Sequence, residues 1–142
     1  MKVAIGIDPG KNGGISWIDD YGIHAHKLPE TLIEKNRMIR KLAEQDCYVV
    51  LEKVHTSPQM GVRSAGTFMQ GRGELLALLV SHAIPVEEVS PTKWMRAMDC
   101  LTGGDKNITK RKAQSLFPWV KVTHAIADSM LLAEYCRQHR ML

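Results

Sequence analysis

The chain has little that would make it a disulfide scaffold, a zinc module or a membrane protein. Its three cysteines, Cys47, Cys100 and Cys136, are odd in number and far apart. No Cys-x-x-Cys pair exists to build a zinc knuckle, so reduced thiols in a cytosolic protein are the expectation. No stretch approaches the roughly 20 apolar residues of a membrane span. The apolar run before Asp8 in MKVAIGIDPG is too short for a signal peptide. Repeats, low-complexity tracts and Pro/Ser-rich linkers are missing as well. The 142 residues are therefore expected to form one domain, residues 1–142. A chain of that length buries roughly 70% of its unfolded surface, enough for a core without staples.

What is present is an ordinary globular composition, 44% hydrophobic and 24% charged. The net charge of +4 favours a polyanionic partner, because basic surface attracts phosphate. Lys2–Asp8 is apolar on both faces between its charged ends, as a central strand is, and Asp8-Pro9-Gly10 terminates it. Gly13–Asp19 and Gly22–Leu28 follow across Asp20-Tyr21-Gly22 and complete an antiparallel meander. Thr31–Gln45 reads as a helix capped by Thr31, with Leu32, Ile39, Leu42 and Ala43 on one face. Cys47–Glu52 is a second buried strand, and Val54–Ser64 an exposed loop. Ala65–His82 is a helix with Phe68, Leu75, Leu76 and Leu79 as its apolar set. Gly71 and Gly73 cost it about 1 kcal/mol each relative to Ala, which a bend or a close backbone approach would explain.

Pro85–Val89 is a last strand, and Pro91 opens a short helix through Met98. Cys100–Asp105 is a loop, Lys106–Leu116 a basic helix and Thr123–Gln138 a further helix. The expected fold class is α/β. Three antiparallel strands followed by two parallel ones form a mixed five-stranded sheet flanked by helices. The first strand is central and the fourth lies beside it.

That order places Asp8 and Glu52 at neighbouring strand ends. In the last helix, at 100° per residue, Asp128 shares a face with Leu131, Leu132 and Tyr135, and His124 lies one turn earlier on the same face. Glu134 and Arg137 point away. Each acid has a plain structural alternative. Asp8 can shape the Pro-Gly turn, Glu52 can pair with Lys53, and Asp128 can pair with a buried cation. His124 can be a polar residue near a helix start. Together, though, Asp8, Glu52 and Asp128 would repel unless neutralised, and Mg²⁺ suits carboxylate oxygens. Two ions about 4 Å apart would fit in-line phosphodiester hydrolysis, one activating water and the other stabilising the leaving 3′ oxygen.

IGIDPGKNGGIS, VVLEKVH, SPTKW, DKNITKRKAQSLFP and HAIADSMLLAEY, in that order, resemble the motifs of the RuvC-type Holliday junction resolvases, particularly the compact phage-type members. The resemblance spans nearly the whole chain. It implies an RNase H-like fold and Mg²⁺-dependent cleavage of four-way DNA junctions by a homodimer, one nick per subunit. Mn²⁺ would substitute for Mg²⁺, with one or two ions per subunit. It also implies a cytoplasmic setting in a bacterial or phage-infected cell, with no membrane and no small-molecule cofactor. By position, Asp8, Glu52 and Asp128 match metal ligands. Many members carry another acid near the place of His124, which here would be either a ligand or a proton carrier. Lys106 matches a lysine used near the scissile phosphate. Met95 stands where the family often has a lysine, and Lys93 or Arg96 would replace it.

Lys106, Lys110, Arg111 and Lys112 put four cations in seven residues, either a solvated helix face or a surface for the DNA backbone. Lys11 and Arg63 join the DNA-contacting set. Met60, in the loop His55–Arg63, is either incidental or an apolar wedge for unstacked base pairs. Trp17, Trp94 and Trp119 read as core or packing residues. The helix at Ala65–His82 is the expected site of much of the dimer interface. The rival functions are a nuclease of the same fold acting on flaps, forks or structured RNA, an ATPase lobe of the actin or sugar-kinase kind, and a non-catalytic junction-binding protein. The ATPase lobe would need a second lobe.

Overall fold

The computed structural model describes residues 2–53 and 55–140; Val54, within the expected loop, lies outside them. The chain runs β1 (Val3–Ile7), β2 (Gly14–Asp19), β3 (Gly22–Lys27), α1 (Leu32–Leu42), β4 (Cys47–Glu52), α2 (Val62–Ser81), β5 (Val86–Val89), α3 (Pro91–Ala97), α4 (Lys106–Leu116) and α5 (His124–Arg140). The strands form one sheet in the order β3-β2-β1-β4-β5. β1 pairs antiparallel with β2 and parallel with β4, with Ile7 opposite Leu51. β5 extends the parallel half, with Val89 opposite Glu52. The mixed sheet with β1 at its centre is as expected. Among the described residues, no helix is long and apolar enough to cross a membrane.

Strand periodicity divides the core between two faces. Val3, Ile5, Ile7, Val49 and Leu51 join Ile39, Leu42, Leu75 and Leu79 on the side of α1 and α2. Ala4 and Val50 join Trp94, Ala113, Met130, Leu131 and Leu132 on the side of α3, α4 and α5. α5 packs close to the sheet because small residues lie beneath it. A Cβ on Gly6 would stand 2.2 Å from the Ala133 amide nitrogen, and one on Gly14 would stand 2.6 Å from the Ala125 carbonyl oxygen. Ser16 and Ser129, both fully buried, share a hydrogen bond of 2.7 Å across this seam.

Several local expectations need correction. α2 begins at Val62, three residues earlier than predicted, with Gly61 as its N-cap, so the preceding loop is shorter. The helix runs continuously through Gly71 and Gly73. Only Gly71 has a neighbour, since its Cβ would lie 3.8 Å from the Pro9 carbonyl oxygen. Leu32 is largely exposed rather than part of the α1 face, which buries Ile39 and Leu42. Trp119 is 71% exposed and meets Phe117 edge-on at 5.9 Å, so it is not a core residue. Glu134 does not point into solvent. α5 is covered by the sheet on one side and by α4 on another, so its buried surface extends nearly all round. Glu134 is satisfied there by Arg137 at 2.8 Å and Gln138 at 3.0 Å.

Candidate active site

Asp8 follows β1 in phase with Ala4 and Gly6, and Glu52 ends β4 in phase with Tyr48 and Val50. The two-residue repeat therefore sends both carboxylates to the α5 face of the sheet, at neighbouring ends of paired strands. The Asp8 turn forms as its plain structural reading expects, with the Gly10 amide donating to Asp8 Oδ1 at 3.2 Å. That bond ties one oxygen; among the described residues the other has no hydrogen-bond partner. Asp128 enters from α5, one turn after His124. Lys106 opens α4, whose N-cap Asp105 accepts from the Asn107 amide at 2.9 Å.

The electrostatics identify these groups as one neighbourhood. Burial pushes the Asp8 carboxyl up to about 6; the Gly10 amide lowers it, Asp128 raises it and Lys106 lowers it. Burial pushes Glu52 up to about 8, with Asp8 and Asp128 raising it and the Trp94 indole lowering it. Asp128 is raised by burial and lowered by the Thr109 hydroxyl, Lys106 and His124. Asp8 feels Asp128, and Glu52 feels both; buried carboxyls set so near one another suit a hard divalent cation, and oxygen donors suit Mg²⁺ or Mn²⁺. Among the described residues, no group of three or more His, Cys, Asp or Glu side chains stands close enough together to hold a metal ion as placed. The acids are gathered at one end of the sheet without being locked together.

A pH dependence follows. Folded Asp8 and Glu52 keep protons up to about 6 and 8, whereas their ordinary values are 3.8 and 4.5. The folded state thus binds more protons between those limits, and the metal-free protein loses stability as pH rises through them. Mg²⁺ is expected to raise the thermal midpoint more at about pH 8.5 than at about pH 5.5, because ionised carboxylates bind it. A Mg²⁺ effect equal at both pH values would count against the assignment.

The basic and apolar candidates fall into separate groups. Lys11 joins Met60 and Arg63, some fifty residues on, to line one groove of about 630 Å³ with Pro9, Gly10 and Phe68. This groove adjoins the Asp8 turn, and the Lys35–Glu74 ion pair at 3.0 Å lies on its lining. Lys93 and Arg96 are exposed on α3. On α4, Lys110 follows Lys106 on the same face, while Arg111 and Lys112 turn away from it. The four cations of that segment are therefore not a single stripe. A second cleft, of about 640 Å³ and lined by Trp17, His24, His26 and Arg37, contains none of the acids of the candidate site.

Two residues at the site escaped sequence reasoning. Trp94, read as packing, donates its indole N–H to Glu52 Oε2 at 2.8 Å. Buried tryptophans generally find such a partner, and Pro-x-x-Trp just after a strand was the available signal. Thr109 is buried and lies one turn after Lys106. Its hydroxyl donates to the Lys106 carbonyl at 3.2 Å and helps to lower the Asp128 carboxyl.

No protein-family model matches the sequence, and no curated protein matches it. Solved structures do match. Thermus thermophilus RuvC in complex with Holliday junction substrate superposes with a TM-score of 0.60, covering 98% of this chain and 97% of that one at 17% identity. The Thermus thermophilus RuvC structure gives a TM-score of 0.59, covering 94% of this chain and 92% of that one at 17% identity. At this identity the likeness is one of architecture. With its mixed five-stranded sheet, three strands antiparallel and two parallel, and its five flanking helices, the chain has the RuvC, RNase H-like fold.

Proposed function

We propose that this protein is a metal-dependent endonuclease that resolves four-way DNA junctions by paired phosphodiester hydrolysis, leaving 5′-phosphate and 3′-hydroxyl ends. The observation that carries the reading is the gathering of Asp8, Glu52 and Asp128 at one end of the sheet beside Lys106. A pure binding protein gains nothing from aiming three carboxylates at phosphate. The fold it shares with RuvC bound to a Holliday junction supports branched DNA as the substrate.

In this reading Asp8, Glu52 and Asp128 hold one or two Mg²⁺ ions per subunit, with Mn²⁺ able to substitute. Bound Mg²⁺ supplies Lewis-acid stabilisation and lowers the pKa of water. Lys106 offsets charge on the scissile phosphate. His124 is exposed at the start of α5, where its imidazole passes a proton to or from solvent or completes the ligand set. Lys11 and Arg63 take backbone phosphates along the groove, and Met60 and Phe68 give it an apolar wall against which bases can rest. Lys93 and Arg96 on α3, with Lys110, Arg111 and Lys112 on α4, extend the phosphate-binding surface.

Two matched cuts in a symmetric substrate call for two subunits. Val62, Gly66, Met69, Gly73, Ala77 and Val80 form an exposed stripe along α2, and a Cβ at Gly66 or Gly73 would meet nothing within 4 Å. Small and apolar residues at three- and four-residue spacing suit close approach by the same helix of a second copy. That supports a homodimer through α2, and it gives the glycines a reason other than a bend.

The test presents purified protein and Mg²⁺ with labelled four-way, flap, fork and linear DNA. Paired, symmetry-related nicks confined to the four-way substrate are expected. Equal cutting of flaps or forks would replace junction resolution with general branched-DNA cleavage, and binding without cutting would remove the nuclease reading.

A further inference from the structure

Trp94 is wholly shielded from solvent, and its one polar atom serves a single acceptor, Glu52 Oε2 at 2.8 Å. An indole nitrogen donates and cannot accept, so this bond favours the ionised carboxylate and fixes which oxygen faces the core. Packing alone asks only for a large ring here. Burying an N–H is unfavourable unless it is paired, so the donor has a use beyond filling space.

The donor is rigidly placed. Trp94 belongs to the same apolar cluster as Val50, Val89, Met98 and Met130. α3 follows β5 with only Ser90 between them. Ser90 caps it by accepting from the Lys93 amide at 3.3 Å, and Pro91 occupies its first turn. β5 in turn pairs with β4, and Val89 stands opposite Glu52. The strand bearing the carboxylate and the helix bearing the donor are thus coupled through one strand register.

We propose that Trp94 is a positioning residue: by holding Glu52 through Oε2 it orients the carboxylate that would join Asp8 and Asp128 in binding a divalent ion. The inference rests on the reading of those three acids as metal ligands. Trp94 touches neither the DNA nor the ion and acts through Glu52 alone. Loss of a group that orients a ligand from behind typically weakens metal binding about 10–100-fold.

The test is Trp94→Phe, which keeps a large ring and removes the donor. Calorimetric titration of the DNA-free protein with Mn²⁺ is expected to show affinity about 10–100-fold below the parent. The metal-free thermal midpoint should stay within a few degrees of the parent, and excess Mn²⁺ should restore junction nicking. Unchanged Mn²⁺ affinity overturns the proposal and leaves the metal reading standing. A parent protein that binds no Mn²⁺ overturns the metal reading and this inference with it. Should the variant fail to fold, the parent itself decides the matter. Trp17→Phe and Trp119→Phe assign the three indole N–H signals by NMR, and Mg²⁺ is expected to shift that of Trp94 most. A Trp94 signal that stays still on adding Mg²⁺ overturns the proposal.

Discussion

Asp8→Asn is expected to abolish Mg²⁺-dependent nicking of a four-way junction while junction binding holds or tightens. Asparagine has nearly the shape of aspartate, and its side-chain oxygen can still accept from the Gly10 amide as Asp8 Oδ1 does at 3.2 Å. The turn should therefore persist. What disappears is an anion whose carboxyl already sits near 6 because of burial and the nearby Asp128. A lost ligand should exceed the roughly 10–100-fold effect of losing a group behind a ligand. DNA binding moves the other way, since one negative charge no longer repels phosphate. The metal-free variant should also melt higher than the parent at alkaline pH, having no carboxylate to ionise there. Nicking assays and gel-shift titrations at one fixed salt concentration read both effects. Cutting at the parental rate would end the assignment of Asp8.

Gly6→Ala should be severely damaging for a single added methyl. Its Cβ would lie 2.2 Å from the Ala133 nitrogen, 2.5 Å from the Ser129 carbonyl oxygen and 2.6 Å from the Leu132 carbonyl carbon. All three are backbone atoms of α5, so no side chain can swing aside. Either the helix lifts from the sheet or β1 gives way, and overpacking of this kind costs about 3 kcal/mol or more. Because α5 carries Asp128, a chain that does fold should also lose its stabilisation by Mg²⁺. Gly71→Ala is the control: its Cβ would rest in ordinary contact, and alanine favours a helix over glycine by up to about 1 kcal/mol. Thermal melts of the two variants should diverge sharply. A Gly6→Ala protein as stable as the parent would mean that α5 does not seat as described.

Much of the fold was legible because its signals are local. The continuous apolar runs of β1 and β4, the meander through β3, the cap at Thr31 and the helix opening at Pro91 all depend on neighbours in sequence. The three carboxylates were legible because strand ends and a helical repeat place them. What the sequence concealed depends on tertiary contact. Glu134 sits where helical geometry reads as solvent, yet α5 is enclosed on more than one side. Trp119 has the chemistry of a core residue and lies outside the core. The Trp94 indole proton has no direction in a string of letters; the β4–β5 register aims it at Glu52. The α2 stripe was hidden in the same way. Gly73 looks like a helix weakness until it is seen, with Gly66, to face open space along one side.

The position of α5 has a consequence for synthesis. While the ribosome is still making this helix, the sheet lacks the cover over β1 and β2 that α5 provides. Asp8 and Glu52 are already present, but Asp128 is not yet in place. A nascent chain therefore gathers its third acid only in the docking event that seals its core.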